Sequence, residues 1–365
     1  MQRDPTKNSR RNPTSAVQGP SRRRFLTGVA AAVSAPAIIA SGKASAADSL
    51  VFVGWGGTQQ KAYDQICLQP LAKEIGVTLI NAYGPDLAKL KAQVTAGKVE
   101  WDIMSLTGAM ALGAQREKLL EPIDYSIVTN ASDLTLPKHE ACLPWYLYWG
   151  GIGYDPKRHP PGKFPTTWPE FWDVKRFPGR RALRNRPDEI LEVALLADGV
   201  QPKQLYPLDV DRAFKSLDRI KPHITHWIAQ TQQTVSLIQS NEIDFNYVYK
   251  GRVLAAQEEG ASIEVADEYP LVSTTLVAVA RGTRNKKAAM QLLNGLLRPD
   301  MQAAFVNGLP GTGIVTRAAA SKLSPAVLKV LPDPTSPKVA INNDDWWADH
   351  YQKVSLRFKE WLLVG

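Results

Sequence analysis

The segment that decides the fold class is Leu50-Val51-Phe52-Val53-Gly54-Trp55-Gly56-Gly57-Thr58. A short apolar run that ends at a glycine is typical of a buried strand in a parallel sheet. The glycines that follow allow a tight loop, which exposes backbone N–H groups beside an indole ring at the start of the next helix. The segment therefore predicts a core strand that leads into a ligand-facing loop.

The pattern continues outward along the chain as alternating helices and strands. Apolar residues recur at helical spacing over 59–75, stop at Gly76 and are followed by a strand at 77–80. A second helix over 86–96 is followed by a third strand at 101–105. This βαβαβ order predicts an α/β fold, with a parallel sheet and helices that cover it.

A second α/β region follows the aromatic segment 145–154. A loop rich in proline and glycine is predicted over 156–165, and the aromatic C-terminal stretch is expected to form helices that dock on the body. Periodicity predicts a strand over 271–280 and helices over 169–174, 189–197, 209–220, 234–240 and 286–297.

The N-terminal residues have the features of an export signal. Ser21-Arg22-Arg23-Arg24-Phe25-Leu26 precedes the uncharged run 27–42, and Ala44-Ser45-Ala46 provides a small-residue cleavage site. Residues 1–46 are therefore predicted to be a twin-arginine signal peptide, and the folded protein is expected in the periplasm. A membrane anchor is the alternative, but glycine, serine and proline interrupt the apolar run.

The basic charge of the chain belongs mostly to this signal. Residues 1–46 hold 8 of the 44 Lys and Arg and 1 of the 35 Asp and Glu, which leaves 36 against 34, a net charge of +2. A nearly neutral folded part does not predict a nucleic-acid partner. Residues 47–365 are enough for two lobes with separate cores.

Cysteine and histidine usage indicates no metal or redox centre. Cys67 and Cys142 are the only cysteines, and their spacing leaves open whether they form a disulfide or are buried apolar side chains. His223 and His226 are three residues apart, but no nearby carboxylate pair supports a metal site. Catalytic and nucleotide-binding motifs are absent, so neither a cofactor nor an enzymatic activity is predicted.

Several aromatic residues lie at or beside the predicted carboxyl ends of strands, where α/β sheets form ligand crevices. These residues are Trp55, Tyr83, Trp149, Tyr247 and Tyr249. Aromatic side chains also pack in cores, so each has two possible roles at this stage.

Over residues 48–365 the chain resembles the periplasmic solute-binding proteins of ABC importers, of the spermidine/putrescine-binding type. The order of the matching segments is specific, although each segment is short. They are Val53-Gly54-Trp55-Gly56-Gly57, Lys89-Leu90-Lys91, Trp101-Asp102-Ile103, Gly150-Gly151-Ile152-Gly153-Tyr154-Asp155, Trp168-Pro169-Glu170-Phe171-Trp172-Asp173, Arg176-Phe177-Pro178-Gly179-Arg180-Arg181, Ala194-Leu195-Leu196-Ala197-Asp198-Gly199-Val200, Tyr249-Lys250-Gly251-Arg252 and residues 285–300.

This resemblance implies a two-lobed periplasmic-binding-protein fold of type II, in which hinge strands join two mainly parallel sheets flanked by helices. Lobe 1 is expected to comprise residues 48–149 and 271–310, and lobe 2 residues 150–270 and 311–365. A monomer that closes on a small solute and docks on a membrane permease is implied. A sensor-type protein that docks on a receptor would have the same fold, and an exported enzyme is the alternative from another class.

The resemblance also suggests a polyamine site, with aromatic faces for the methylene chain and carboxylates for the terminal nitrogens. The expected ligand-binding residues are Trp55, Gly57, Thr58, Thr107, Arg186, Asp188, Glu189, Tyr247, Tyr249 and Arg252. Two of them depart from the family pattern, because Arg186 and Arg252 stand where polyamine binders carry acidic residues. If these arginines face the cleft, the solute is instead a small anionic or zwitterionic molecule such as an ω-amino acid or a phosphonate; if they pair with Asp188 or Glu189, or face solvent, polyamine binding remains.

Overall fold

The computed structural model describes residues 49–364. The signal predicted over residues 1–46, with its cleavage site, lies outside the described residues. Within them, no helix is both long enough and apolar enough to cross a membrane.

One mixed sheet of ten strands forms the centre of the described part. The strands are β1 (Ser49–Gly54), β2 (Thr78–Tyr83), β3 (Ile103–Thr107), β4 (Cys142–Tyr154), β5 (Arg181–Arg184), β6 (Ile224–Ile228), β7 (Phe245–Tyr249), β8 (Glu264–Val279), β9 (Thr312–Gly313) and β10 (Ala340–Ile341). Their order across the sheet is β2-β1-β3-β8-β4-β7-β5-β6, with β9 on β4 and β10 on β8.

Helices flank the sheet. They are α1 (Gly57–Tyr63), α2 (Gln69–Glu74), α3 (Leu87–Ala96), α4 (Gly108–Arg116), α5 (Trp168–Trp172), α6 (Ile190–Ala197), α7 (Val210–Ile220), α8 (Gln233–Gln239), α9 (Lys250–Glu258), α10 (Lys286–Leu296), α11 (Pro299–Gly308), α12 (Pro325–Val330) and α13 (Asp344–Leu363). Between α1 and α2 the turn Asp64–Leu68 is a π-helix.

Parallel pairing occurs in both halves of the sheet. Strand β1 pairs in parallel with β2 and β3, and β5 pairs in parallel with β6 and β7. The long strands β4 and β8 are antiparallel to each other and lie between the two parallel groups. The fold is therefore the α/β fold that the sequence indicates, but its two parallel groups of strands are joined through β4 and β8 into one mixed sheet instead of forming two separate sheets. The exact lobe boundaries remain predictions.

Local sequence signals explain the helix ends that were predicted correctly. The Asp86 side chain accepts a hydrogen bond from the Lys89 N–H and caps α3, and Gly97 ends this helix with a left-handed backbone at φ 63°. Helices α7 and α10 also begin and end within one residue of the periodic segments. The described strands β5 and β6 had no prediction, because β5 has only four residues and β6 is polar and partly exposed.

The two cysteines do not form a disulfide. Cys67 and Cys142 are both free and buried, and they belong to different apolar clusters of the core. Burial raises the pKa of both thiols, because the thiolate form loses hydration. Of the two possibilities that the sequence leaves open, the structure favours buried apolar side chains.

Candidate ligand-binding site

A pocket lies where strands of both parallel groups end. Parallel strands that share a direction bring the side chains after their last residues to one edge, and this edge is where α/β sheets bind ligands. The pocket has an empty volume of about 420 Å³. Its lining residues come from the ends of β3 and β7, from the segments that follow β1, β5, β6 and β7, from the middle of β4 and β8, and from the turn before β9. They are Trp55, Gln59, Thr107, Tyr146, Tyr148, Arg186, Thr231, Tyr249, Gly251, Arg252, Thr275 and Gly311.

Aromatic rings form much of the pocket wall. Tyr146 and Tyr148 are two residues apart on β4, so both side chains point to the same face of the sheet. The rings of Tyr148 and Tyr249 pack edge to face, with centroids 5.6 Å apart. The half-buried Trp55 ring lies opposite Arg186, whose guanidinium carbon is 5.5 Å from the ring centroid. A methylene chain would contact apolar ring surface on several sides.

Arg186 is a cation that the protein already neutralises. Its Nη2 lies 2.6 Å from Glu189 Oε2 and donates to the Tyr249 hydroxyl at 3.0 Å. Its Nε lies 3.6 Å from Asp188 Oδ2. Burial lowers the pKa of Arg186, but the carboxylates of Asp188 and Glu189 outweigh that effect and raise it overall. Arg186 therefore stays charged while most of its charge is compensated from behind the pocket.

The Glu189 carboxylate accepts hydrogen bonds from two tyrosine hydroxyl groups of the pocket wall. Tyr148 donates to Glu189 Oε1 and Tyr249 donates to Glu189 Oε2, each at 2.8 Å. Glu189 has a left-handed backbone at φ 74°, a conformation that costs a non-glycine residue about 1–3 kcal/mol. The ion pair and the hydrogen bonds hold the residue in place. Its carboxylate is fully buried, so it orients the tyrosines and leaves no free oxygen for a solute.

Arg252 lacks such compensation. Its Nη1 donates to the Gly56 carbonyl at 3.2 Å, and among residues 49–364 no carboxylate forms a salt bridge with it. Burial lowers the pKa of Arg252, because the charged form loses hydration, although nearby tyrosines partly oppose this. An anion in the pocket would supply the missing counter-charge.

The first turn of α9 is part of the same wall. Gly251 and Arg252 line the pocket, and no side chain caps the N-terminus of this helix. Gly311 has φ +91°, and a Cβ there would lie 2.5 Å from the Gly251 nitrogen. Two glycines thus let the two backbone segments approach closely beside this uncapped helix end. Such an end favours an anion by its partial positive charge.

The structure brings together half of the residues predicted from the sequence. Trp55, Thr107, Arg186, Tyr249 and Arg252 line the pocket. Gly57 and Thr58 instead line an adjoining groove beside α8 and α9, where Thr58 Oγ1 donates to Glu259 at 3.3 Å. Gln59 and Arg252 belong to both cavities.

Three predicted residues lie behind the pocket wall instead of facing it. Tyr247 is fully buried, because its ring stacks on Trp168 of α5 at a centroid distance of 5.8 Å. Asp188 and Glu189, expected as exposed anchors for ammonium groups, have no exposed surface, because Arg186 covers them from the pocket side. Of the remaining aromatic candidates, Trp149 is in the core and Tyr83 is largely exposed on β2.

Sequence reasoning missed several lining residues. Tyr146 and Tyr148 belong to the aromatic segment before the second region, and their i, i+2 spacing was the available signal. Gly251 lies within the quoted segment 249–252, next to the predicted Arg252. Thr231, Thr275 and Gly311 gave no signal, because each reaches the pocket only through contacts between distant segments. No group of three metal-ligating side chains occurs among the described residues, and His226 lies beside a single carboxylate, that of Glu242.

Comparison with known proteins places the chain among solute-binding proteins. The sequence profile described as bacterial extracellular solute-binding protein matches residues 69–329. The gamma-aminobutyric acid-binding protein of Pseudomonas aeruginosa is 31% identical over 86% of this chain and 90% of its own length. The spermidine/putrescine-binding periplasmic protein of Escherichia coli K12 is 24% identical over 77% of this chain and 82% of its own length.

Solved structures agree with this fold. The Atu4243 GABA receptor shares 31% identity, with a TM-score of 0.75 over 87% of this chain and 98% of that chain. The PBP AgtB from A. tumefaciens R10, in complex with agropinic acid, shares 30% identity, with a TM-score of 0.80 over 87% of this chain and 99% of that chain.

Proposed function

The chain belongs to the bacterial extracellular solute-binding protein family, and we propose that it is the periplasmic component of an ABC importer for a small solute with an anionic end. Membership in the family gives the chain a binding role and not a catalytic one, and a location outside the cytoplasm. The solute proposed is of the ω-amino acid or phosphonate kind. Its delivery to a membrane permease is part of the proposal.

The observation that carries this proposal is the convergence of Arg252 and the uncapped N-terminus of α9 on one pocket wall. A carboxylate or phosphonate there would accept hydrogen bonds from a guanidinium that has no counter-ion among the described residues. The aromatic walls of Trp55, Tyr148 and Tyr249 would then contact the rest of the solute. Relatives with 31% identity that carry γ-aminobutyrate in their names support the same solute class.

Polyamine binding has less support than binding of a solute with an anionic end. The relatives named for spermidine and putrescine are more distant, at 24% identity for the protein of Escherichia coli. The carboxylates expected to hold the ammonium groups are buried beneath Arg186. A diamine in the pocket would contact two guanidinium groups and no free carboxylate from the lining residues.

Thermal unfolding and titration calorimetry of the purified chain, stripped of bound solute, test the proposal. γ-Aminobutyrate or 3-aminopropylphosphonate is expected to raise the unfolding midpoint, because a ligand that binds only the folded state stabilises it. Putrescine and spermidine are expected to leave the midpoint unchanged. A shift with the diamines alone would contradict the proposal and restore polyamine binding.

Replacement of Trp55 tests the location of the site. Trp55→Ala removes ring surface and the contact with Arg186, so we expect the Kd to rise about 2- to 30-fold, as the loss of about 0.5–2 kcal/mol predicts. Trp55→Phe keeps a ring and is expected to lose less. Tyr125→Ala, at an exposed ring outside the pocket, is the control for general effects; equal Kd values in Trp55→Ala and the unmodified chain would move the site elsewhere.

A further inference from the structure

We infer that the pocket prefers a solute whose total charge is negative over a zwitterion of equal length, and that Arg184, buried behind the pocket, sets this preference through Thr231. This inference rests on the proposed function and narrows its solute class. It points to dicarboxylates or amino-phosphonates in preference to simple ω-amino acids.

Arg184 is the third guanidinium group of the region and was not anticipated from the sequence. It is the last residue of β5 and only 2% exposed. Its Nη2 donates to Thr231 Oγ1 at 3.1 Å, while its Nε and Nη1 have no hydrogen-bond partner among the described residues. A buried charge without a partner is unfavourable. Burial accordingly lowers the pKa of Arg184, against a partial increase from nearby Tyr249.

The balance of charge around the pocket is positive. Arg184, Arg186 and Arg252 face two carboxylates, those of Asp188 and Glu189, and both carboxylates contact Arg186. Arg184 and Arg252 form no salt bridge with any residue in 49–364. Repulsion by Arg186 helps to lower the pKa of Arg184, and repulsion by Arg184 helps to lower the pKa of Arg252. One positive charge is therefore left over, which a solute with one net negative charge would balance.

Other acidic groups do not remove this excess near neutral pH. Glu192 and Asp344 are the next buried carboxyls, and burial raises their pKa values to about 7 and about 8. Glu192 is hydrogen-bonded to Tyr206 and Trp347, not to an arginine. Both groups thus retain much of their proton at neutral pH.

The pocket has few groups that could bind an ammonium group of a solute. None of the twelve lining residues is acidic. Tyr148 and Tyr249 already donate their hydroxyl hydrogens to Glu189, and the Trp55 ring already faces the guanidinium of Arg186. A zwitterion would therefore bring its positive end into a cavity that carries excess positive charge.

Thr231 connects Arg184 to the pocket. Its hydroxyl oxygen accepts from Arg184, and no described residue accepts its hydroxyl hydrogen. Since Thr231 lines the pocket, this hydrogen is available to an anionic solute. Arg184 is thus a positioning residue: it orients the hydroxyl as a donor and adds positive potential without an exposed atom of its own at Nε or Nη1.

Calorimetry with solutes of matched chain length tests the inference on the unmodified chain. Glutarate, near neutral pH, where Glu192 and Asp344 retain much of their proton, is expected to bind at least about tenfold more tightly than γ-aminobutyrate, which corresponds to about 1.4 kcal/mol. Equal or tighter binding of γ-aminobutyrate would overturn the inference and leave the proposed function intact. Binding of putrescine alone would overturn both.

Two variants test the residues. Arg184→Met is expected to lower the ratio of glutarate affinity to γ-aminobutyrate affinity at least about tenfold. Arg184→Lys keeps the positive charge and is expected to lower this ratio less. A purely structural role would reduce both affinities equally and leave the ratio unchanged. Because loss of a buried arginine can prevent folding, Thr231→Val is the second variant; it preserves the charge and is expected to weaken glutarate binding several-fold, and unchanged binding would contradict the role of Thr231.

Discussion

At the scale of single residues, two neighbouring glutamates show how their partners decide what a buried carboxyl group does. Glu189 is paired with Arg186 and accepts two tyrosine hydroxyls. Glu192, one turn further along the chain, is equally buried but has no cationic partner, and Trp347 Nε1 donates to it at 2.6 Å. Burial therefore raises the pKa of Glu192 to about 7, and its hydrogen bonds only partly offset the effect.

This shift predicts a dependence of stability on pH. The folded chain holds the Glu192 proton up to about pH 7, whereas the unfolded chain loses it near 4.3. Between these values the folded state binds more protons, so the free energy of unfolding falls as the pH rises. Glu192→Gln removes this titration and keeps an acceptor oxygen for Trp347, so its loss of stability from pH 5 to pH 8 is expected to be smaller.

Thermal unfolding midpoints at pH 5 and pH 8 measure this effect. Glu100→Gln, at an exposed position, is the matched control and should follow the unmodified chain. Asp344 has a pKa raised in the same direction, so the pH dependence should decrease without disappearing. An identical change in midpoint for Glu192→Gln and the unmodified chain would show that the Glu192 pKa is ordinary in the folded state.

At the scale of elements, the start of α4 connects helix stability to the pocket. Thr107 ends β3, and its Oγ1 accepts from the Met110 N–H at 3.3 Å and caps α4. The same residue lines the pocket. Gly108 follows because a Cβ there would overlap the carboxyl group of Asp344, the first residue of α13. Residues 107–108 thus begin a helix, contribute to the pocket wall and contact the C-terminal helix α13.

We expect Thr107→Ala to lower the free energy of unfolding by about 1 kcal/mol through loss of the cap and to weaken solute binding as well. Thr107→Ser keeps the hydroxyl and should retain both properties. Asp86→Ala removes the cap of α3, a helix that does not line the pocket, so it should cost similar stability and leave the Kd unchanged. Chemical denaturation and calorimetry measure the two quantities; an unchanged stability in Thr107→Ala would contradict the capping role.

At the scale of the whole molecule, a few polar contacts join segments that are predicted to belong to different lobes. Arg252 donates to the Gly56 carbonyl at 3.2 Å, and Thr58 Oγ1 donates to the carboxylate of Glu259 at 3.3 Å. The Glu259 contact lies at the surface of the groove beside the pocket. Such contacts favour a closed arrangement, and a solute that touches both sides adds to them.

Glu259→Ala tests this coupling, because it removes a contact between the predicted lobes without changing the pocket lining. An exposed hydrogen bond contributes about 0.5–1 kcal/mol, so we expect the Kd to rise about two- to fivefold, mainly through faster dissociation. Glu258→Ala, at the exposed preceding position, is the matched control. Equal dissociation rates for the two variants in surface plasmon resonance would contradict a closing role for Glu259.

Much of the architecture follows from local sequence. Apolar runs, helical periodicity, the cap at Asp86 and the glycine at 97 predict strands and helices that the structure contains, since these signals depend on neighbours within a few residues. The resemblance of short segments in a fixed order also predicts the solute-binding family correctly. Trp55, Thr107 and Tyr249 could be anticipated at the pocket, because the carboxyl ends of parallel strands meet at one edge.

The direction and charge of the remaining site residues depend on tertiary structure. Tyr247 and Tyr249 are two residues apart on β7, so both side chains lie on the same face of the sheet. Trp168 nevertheless covers the Tyr247 ring, whereas Tyr249 lines the pocket. Asp188 and Glu189 are carboxylates of the kind that could hold an ammonium group, and only their packing beneath Arg186 keeps them from contact with the solute. Arg184 gains its role from Thr231, which lies 47 residues away in the chain. Burial and charge pairing arise between distant segments, so no local window of the sequence contains them.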